Sequence, residues 1–175
     1  ELCAGKKDIV IISSDHTRPV PSRVTMPILL HHIHSAAPEA RVRILVATGM
    51  HRPSTHEELV NKYGEEIVAN EEIVMHVATD DSMMKKIGTL PSGGECIINK
   101  IAAECDLLLA EGFIEPHFFA GFSGSRKSVL PGIASYKTIM YNHNGQFVND
   151  SHSRAGNLCH NHVSEDMFAA AEMAH

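Results

Sequence analysis

A histidine followed by a loop of small and basic residues marks the stretch 115–132, EPHFFAGFSGSRKSVLPG. The loop contains the small residues Gly121, Ser123, Gly124 and Ser125 and ends in Arg126 and Lys127. Small residues allow backbone N–H groups to approach an anion, and the two basic residues supply charge. With His117 as a titratable ring beside it, the loop suits a phosphate or a carboxylate. The alternative is a solvated basic turn that only connects two elements.

Three apolar runs of strand length are residues 8–13, which are rich in β-branched side chains, 42–48 and 106–111. Each of them leads into a polar loop, and these loops carry Asp15 to Arg18, His51 and His117. In an open α/β sheet, ligands bind beyond the carboxyl ends of the strands. We therefore expect the three loops to share one site. The alternative for the first loop is a capped turn in which Asp15 bonds its own backbone, although Arg18 then has no role.

Helical patterns alternate with these strands. Apolar residues recur at helical spacing over residues 22–36, and Pro27 predicts that this helix starts near it or bends there. Ser54 and Glu57 form a capping box that predicts the start of a second helix, which runs to about Lys62. Residues 72–78 predict a further strand, in which His76 is a satisfied sheet residue rather than a ligand.

The remaining predicted elements are a β-hairpin of strands 84–90 and 95–99, helices over 100–104 and 135–141, a long polar loop over 146–162, and a last helix over 165–174 capped by Ser164. Alternation of strands and helices predicts an α/β fold with a mostly parallel, Rossmann-like open sheet and helices on both of its faces. The β-hairpin is a small insertion in that fold. Residues 1–175 show no internal boundary and are expected to form a single domain.

Composition narrows the class of protein. The chain has 175 residues, of which 43% are apolar, and a formal net charge of −6, which does not favour a nucleic-acid surface. Its four cysteines contain no CxxC pair, so we expect reduced thiols and a cytoplasmic setting rather than a disulfide framework. No apolar run reaches the ~18 residues of a membrane span. Among its 13 histidines, only His51, His117 and His143 are strong candidates for chemistry.

Four motifs occur in order along the chain: Asp15-His16-Thr17-Arg18-Pro19, Gly49-Met50-His51-Arg52, Glu115-Pro116-His117 with Ser123-Gly124-Ser125-Arg126-Lys127, and Asn142-His143. Together they resemble the N-terminal domain of the nickel-dependent lactate racemase family, and the resemblance covers nearly the whole chain. It departs at Ser125, where we expect glycine in many relatives. Family members have residues before Glu1 and a second domain after His175. The resemblance therefore implies an excised domain, with a cleft that lacks one wall and no activity of its own.

The resemblance also implies a cofactor and roles for single residues. Family members hold nickel in a pincer-type pyridinium mononucleotide that carries thioamide and thiocarboxylate sulfur donors. By resemblance, Lys127 attaches the cofactor covalently, His143 is the protein ligand of nickel, and His51 and His117 are the paired catalytic histidines. The loop that contacts the cofactor consists of Asp15, His16, Thr17 and Arg18, and Arg18 also reaches the substrate. The implied partners are a small 2-hydroxy acid, the proteins that mature the cofactor and the second domain.

The chemistry of a 2-hydroxy acid fits two histidines. Direct removal of the proton from its chiral carbon faces a high barrier, because that C–H bond is weakly acidic. Transfer of hydride to an electron-poor ring or metal centre instead leaves a flat keto acid, which can be attacked from either side. The hydroxyl proton must leave to a general base and return, and imidazoles with pKa values of ~6.5 suit that exchange. We expect one histidine for each enantiomer, His51 and His117.

Three other functions remain open at this point. A non-catalytic phosphate- or nucleotide-binding module would use the Gly/Ser loop with Arg126 and Lys127 and would not need His51. A Zn²⁺ hydrolase built from the abundant histidines would bind its metal through three protein side chains. The third alternative is a domain kept for folding and interaction only.

Overall fold

Residues 1–174, which the computed structural model describes, form eight strands and seven helices with two short 3₁₀ turns. In chain order the strands and helices are β1 (Asp8–Ser14), α1 (Ser22–Ala36), β2 (Arg41–Ala47), α2 (His56–Tyr63), α3 (Glu65–Asn70), β3 (Glu72–Met75), β4 (Met84–Thr89), β5 (Glu95–Asn99), α4 (Lys100–Glu104), β6 (Leu107–Ala110), β7 (Pro116–His117), β8 (Gly121–Phe122), α5 (Tyr136–Asn142), α6 (Gly145–Val148) and α7 (His162–Met173).

A parallel sheet with the strand order β3-β2-β1-β6 lies at the centre of the fold. The chain leaves β1 toward β2 on one side, and β6 later returns to the other side of β1. This reversal creates a topological switch point between β1 and β6, where open α/β sheets leave a crevice outside the carboxyl ends of their strands. The Rossmann-like parallel sheet that the alternating pattern predicts is confirmed.

Both faces of this sheet are buried, as the unbroken apolar runs require. Ile9, Ile11 and Ile44 are fully buried against α1, α2 and α3 on one face. Val10 and Ile12 pack on the other face, where α4, α5, α7 and the β4–β5 hairpin cover them. Each fully buried isoleucine removes enough apolar surface from water to stabilise the fold by roughly 1.5–3 kcal/mol. Helices on both faces and the hairpin insertion are thus as predicted.

Several boundaries differ from the sequence-based predictions. The capping box is one residue later than predicted, because the hydroxyl of Thr55, not that of Ser54, accepts from the backbone N–H of Glu58. Asn161 rather than Ser164 caps the last helix, and the N–H of Ser164 donates to its side chain. α1 begins at Ser22 and runs through Pro27. The predicted loop over 146–162 also contains most of α6, which Asn144 caps.

β3 ends at Met75, three residues before the predicted end of the strand, so His76 lies in the core and not in the sheet. His76 is fully buried just beyond β3, where Nε2 lies 2.9 Å from the carbonyl oxygen of Ala134 and Nδ1 lies 3.3 Å from Nδ2 of Asn99. It is therefore a satisfied core histidine. The cysteines are present as free thiols. No helix within residues 1–174 is long and apolar enough to cross a bilayer.

Candidate functional site

A cavity of about 390 Å³ opens at the carboxyl ends of β1, β2 and β6. It lies at the switch point of the sheet, and the loops that follow the three strands form its walls. The titratable side chains that line it are Asp15, Arg18, His51, Glu111, Glu115, His117, Lys127 and His143. Six of these residues were singled out from the sequence. The structure therefore brings together groups as far apart in the sequence as Asp15 and His143.

The loops after β1 and β2 meet through a carboxylate and an imidazole. Oδ2 of Asp15 lies 2.6 Å from Nδ1 of His51. Asp15 is only 2% exposed, whereas half of the His51 side chain is open to solvent. The turn that holds His51 is fixed by Gly49, whose N–H donates to the carbonyl oxygen of Gly132 and whose φ of 54° suits glycine. One ring nitrogen of His51 is thus anchored and the other remains available.

Asp15 is held as a carboxylate. Its other oxygen, Oδ1, accepts hydrogen bonds from the backbone N–H and the hydroxyl of Thr17 at 3.0 and 2.6 Å. Burial alone would raise the pKa of Asp15, but the bonds from Thr17 and His51 outweigh it and hold that pKa below its ordinary value. The loop after β1 therefore does contain the capped turn that was the alternative to a functional site, because Asp15 accepts from Thr17. The same carboxylate also supports His51, which the capped turn does not explain.

His16 and Thr17 do not reach the cavity. Nδ1 of His16 lies 2.9 Å from the hydroxyl of Ser54, so its ring faces the start of α2. Thr17 is occupied by the carboxylate of Asp15. Arg18 is exposed and lines the cavity mouth. Of the four residues expected to contact a cofactor in this loop, only Asp15 and Arg18 line the cavity.

His117 lies in the small hairpin formed by β7 and β8, two strands of two residues each. Its ring packs among aromatic side chains. The ring stacks on Phe118 and meets Phe119 edge-on, with centroid separations of 4.6 Å in both cases. The backbone N–H of Ala120 donates to Nδ1 of His117 at 3.2 Å. Burial, followed by the positive charges of Lys127 and Arg18, lowers the pKa of His117 to about 4. His117 is therefore a neutral ring at physiological pH.

Arg126 faces away from the cavity. Its Nη2 donates to the carbonyl oxygens of Ala120 and Phe122 at 3.0 and 3.1 Å, and its guanidinium packs 4.5 Å from the centroid of the Phe168 ring. The residue is only 6% exposed. The expectation that Arg126 joins Lys127 in facing an anion is therefore wrong. Arg126 instead holds the β7–β8 hairpin, and with it His117, against α7.

Lys127 enters the cavity alone from the 3₁₀ turn Ser125–Ser128. Its Nζ lies 5.7 Å from the centroid of the Phe119 ring. Burial, followed by the charges of Arg18 and Arg126, lowers the pKa of Lys127 to about 8. The amine is therefore much closer to its neutral, nucleophilic form at pH 7 than an ordinary lysine is. The largest cause is burial rather than the adjacent Arg126 that the sequence suggested.

The glycines before Lys127 are required by the close packing of the loop. Gly124 has a φ of 77°, and a Cβ atom there would lie 2.5 Å from the carbonyl oxygen of Phe113. Ser125 follows with a φ of 44°, in the left-handed region that disfavours residues with a side chain. This geometry gives a physical reason for the expectation of glycine at Ser125.

His143 directly follows α5 and lines the cavity. Its ring meets that of Phe119 edge-on, at a centroid distance of 5.1 Å. Its Nδ1 is buried and has no hydrogen-bond partner of good geometry among residues 1–174. Burial is the main cause that lowers the pKa of His143 to about 4, Lys127 adds to it, and the carbonyl oxygen of Ile139 opposes it. A neutral imidazole with an orphaned nitrogen has the chemistry of a metal ligand.

Two cavity residues were missed in the sequence. The carboxylate of Glu111 accepts hydrogen bonds at 2.8 Å from Ser13 and from Ser22, and it ties the ends of β1 and β6 to the start of α1. The sequence feature that could have identified Glu111 is its position directly after a predicted buried strand. Phe119 contacts His117, Lys127 and His143 at once. No sequence pattern distinguished Phe119 from Phe118, which is 75% exposed.

The fold and the cavity define an α/β domain whose switch-point pocket holds three histidines, Arg18 and Lys127 beside three carboxylates. A family model described as the lactate racemase N-terminal domain matches residues 1–156. The chain belongs to the lactate racemase family and corresponds to its N-terminal domain.

Curated relatives agree with this assignment. The chain is 73% identical over 174 residues to a lactate racemase of Lactiplantibacillus plantarum and 55% identical over 174 residues to a lactate racemase of Thermoanaerobacterium thermosaccharolyticum. In both cases the match covers 99% of this chain and 41% of the relative. The chain thus spans less than half the length of the curated relatives that it matches.

Solved structures show the same fold. The lactate racemase apoprotein from Thermoanaerobacterium thermosaccharolyticum matches with a TM-score of 0.97 and 55% identity, over 99% of this chain and 42% of that chain. A protein from Thermotoga maritima matches with a TM-score of 0.82 over 98% of this chain and 44% of that chain. At 22% identity, this second match shows the fold alone.

Proposed function

We propose that this chain is the N-terminal catalytic domain of an enzyme that racemises or epimerises a 2-hydroxy acid, with lactate as the leading substrate. The observation that carries the proposal is the single cavity lined by His51, His117, Lys127 and His143. The names of the relatives, both lactate racemases, support the reaction class.

The exchange of the hydroxyl proton is assigned to the histidines. When a 2-hydroxy acid is oxidised to the keto acid, its carbon loses a hydride and its hydroxyl loses a proton. The O–H bond breaks and an N–H bond forms on a cavity imidazole. At His51 the positive charge that results would lie against the carboxylate of Asp15, 2.6 Å away. His117 is the histidine assigned to the other enantiomer.

Arg18 is assigned to the carboxylate of the substrate. It lines the mouth of the cavity and is exposed, so its guanidinium can meet an entering anion. A guanidinium binds a carboxylate through two parallel N–H···O bonds and thereby fixes its orientation. Because Arg126 is buried against α7, Arg18 and Lys127 are the two cations that face the cavity.

The residues present fit the nickel pincer cofactor. The amine of Lys127, whose pKa is lowered to about 8, would hold the cofactor through a thioamide, in which the carbon keeps its sulfur and its oxygen leaves as water. His143 offers a neutral imidazole beside the same Phe119 ring that Lys127 approaches, to be joined by softer sulfur donors that would come from the cofactor. When bound, the group would supply an electron-poor centre that takes up the hydride of the substrate carbon. The protein would position the substrate, limit access of water and move the hydroxyl proton.

The proposal extends to the partners of the domain. Much of the length of its relatives lies beyond the matched region, so we assign the open side of the cavity to a second domain of the same chain. The matured cofactor would come from dedicated maturation proteins, and the free thiols suit a reducing cytoplasm. The isolated domain is expected to be inactive.

Specific observations weaken the competing functions. A phosphate-binding module would use both Arg126 and Lys127, but Arg126 binds backbone carbonyls instead. A zinc hydrolase needs three protein ligands, and no group of three His, Cys, Asp or Glu within residues 1–174 is arranged to hold a metal ion. Neither observation conflicts with a cofactor that brings most of its own donors.

The proposal is tested by racemisation of L-lactate in matured full-length protein, followed by chiral chromatography. Wild-type protein should convert L-lactate to D-lactate, and the His51→Asn and His117→Asn variants should each lose at least about 10²-fold in kcat. Exposed His31 provides the matched control, because His31→Asn should retain full activity. Unchanged rates in both cavity variants would refute the proposal.

A further inference from the structure

We propose that His51 and His117 are not equivalent in the resting protein, because they are held in opposite tautomers. Asp15 holds the proton of His51 on Nδ1, and the backbone amide of Ala120 holds the proton of His117 on Nε2. Only His51 then offers an unprotonated nitrogen to a substrate. The catalytic consequence rests on the proposed function, whereas the tautomers themselves follow from the hydrogen bonds.

The partner of His51 is an acceptor. An ionised carboxylate has no proton to donate, so the short contact between Oδ2 of Asp15 and Nδ1 of His51 requires Nδ1 to carry the proton. Oδ1 is already occupied by the two bonds from Thr17, which fixes the orientation of the carboxylate. In the neutral ring, Nε2 is therefore the nitrogen with a free lone pair. His51 is ready to accept a proton.

The partner of His117 is a donor. A backbone N–H cannot accept, so the contact from Ala120 requires Nδ1 of His117 to be unprotonated. In the neutral ring the proton must lie on Nε2. A second proton on Nδ1 would set two N–H groups against each other, and the positive charges of Lys127 and Arg18 also oppose it. His117 therefore offers an N–H rather than a lone pair.

The amide that fixes His117 is itself held rigidly. The carbonyl oxygen of Phe119, in the same peptide group as the Ala120 N–H, accepts from Nδ2 of Asn161 at 2.8 Å, and Arg126 donates to the carbonyl oxygen of Ala120 in the next peptide group. Phe118 and Phe119 enclose the ring on two sides. The Ala120 amide is thus part of a buried hydrogen-bonded turn, and its direction does not depend on solvent. Arg126 acts as a positioning residue for the tautomer of His117.

The difference in tautomer gives His51 and His117 different roles toward a bound substrate. In the resting state a substrate hydroxyl can give its proton to Nε2 of His51, and its oxygen can accept a hydrogen bond from Nε2–H of His117. For His117 to take a proton from the opposite enantiomer, its ring must first leave the Ala120 amide, so that a nitrogen lone pair becomes free. Proton exchange at His117 therefore includes a ring movement that proton exchange at His51 does not require, and because the two directions of racemisation follow one path in reverse, both directions include it.

The tautomers can be measured on this chain without any cofactor. Protein labelled with ¹⁵N-histidine is examined at pH 8.5 by long-range ¹⁵N–¹H correlation, which distinguishes a protonated ring nitrogen from an unprotonated one. His51→Gln and His117→Gln assign the two signals. We expect the Nδ1–H form for His51 and the Nε2–H form for His117. The same tautomer in both rings, or a freely exchanging mixture in either, would overturn the inference.

A single substitution sharpens the test. In Asp15→Asn, Oδ1 can still accept from Thr17, and the new NH₂ group replaces the oxygen that faces His51. That NH₂ donates, so His51 should change to the Nε2–H form while His117 remains as it was. An unchanged His51 signal in folded variant protein would also overturn the inference. Because these spectra need no turnover, they can fail while lactate racemisation succeeds, and the reverse also holds.

Discussion

The carboxylate of Asp15 and the imidazole of His51 lie 2.6 Å apart, although they belong to the loops that follow two different strands. The contact exists because β1 and β2 are parallel neighbours, so their carboxyl ends meet at one edge of the sheet. Asp15 thereby supports the ring that we assign to proton exchange. The buried carboxylate of Asp15 thus determines which ring nitrogen of the exposed His51 carries the proton.

Asp15→Asn should therefore impair catalysis without removing the fold. We expect kcat in the matured full-length protein to fall by about 10²–10⁴-fold with a smaller change in KM, because the amide gives His51 the wrong tautomer. Asp80→Asn is the matched control, since the Asp80 carboxylate accepts from the backbone N–H and the hydroxyl of Ser82 and does not line the cavity. Comparable losses in both variants would contradict a specific role for Asp15.

Arg126→Met should destabilise the domain. The substitution leaves two carbonyl oxygens, those of Ala120 and Phe122, without the guanidinium that they share. We expect a loss of about 2–4 kcal/mol in the free energy of unfolding, measured by urea titration of this chain. Arg23→Met on the exposed face of α1 is the control and should change stability by less than about 0.5 kcal/mol. Equal effects would show that Arg126 is not a structural clamp.

Lys127 should react with acylating reagents at unusually low pH. Because its pKa is lowered to about 8, roughly half of its amines are neutral at pH 8. Pulse acetylation followed by peptide mass spectrometry should give a labelling rate with a midpoint near that pH. Arg18→Gln removes a nearby cation and should shift the midpoint upward. A midpoint near ~10.4, the ordinary lysine value, would show that the amine is not buried as described.

The buried histidines should make the domain sensitive to acid. Burial lowers the pKa of His76 from 6.5 to about 4, so the unfolded chain binds a proton at this position before the folded chain does. The contribution of this group is fully present above pH 6.5 and is lost as the pH falls toward 4. It amounts to at most about 3 kcal/mol. His117 and His143 shift in the same direction.

His76→Gln separates the core histidine from the cavity histidines. Chemical unfolding of this variant between pH 7 and pH 4 should show a shallower loss of stability than in the wild-type chain. The difference in stability between wild type and variant should therefore shrink as the solution becomes acidic. A difference that stays constant with pH would mean that His76 is not buried in its neutral form.

The sheet and the location of the site could be predicted because both follow from short-range pattern. Runs such as residues 8–13 are buried on both faces, so their strand character does not depend on distant partners. Once the strands are parallel, their carboxyl ends must coincide, which places Asp15, His51 and His117 near one another. This placement follows from the topology of the sheet alone and does not depend on what each side chain does.

The errors arose where the direction of a side chain depends on loop geometry. Arg126 and Lys127 are adjacent in the sequence, but the left-handed residues Gly124 and Ser125 open a 3₁₀ turn that sends them to opposite sides. The role of the Ala120 backbone N–H, which donates to His117, cannot be read from the alanine side chain. Likewise, Thr55 and Asn161 displaced the predicted caps because neighbouring polar residues compete for the same free N–H groups at the start of a helix.

The most direct test of the proposed function is the mass of the peptide that contains Lys127, taken from active full-length protein matured with its cofactor proteins. The proposed function predicts a covalent adduct on the Lys127 amine, with His143→Ala protein retaining that adduct but losing bound nickel. Active protein in which Lys127 is unmodified would contradict it.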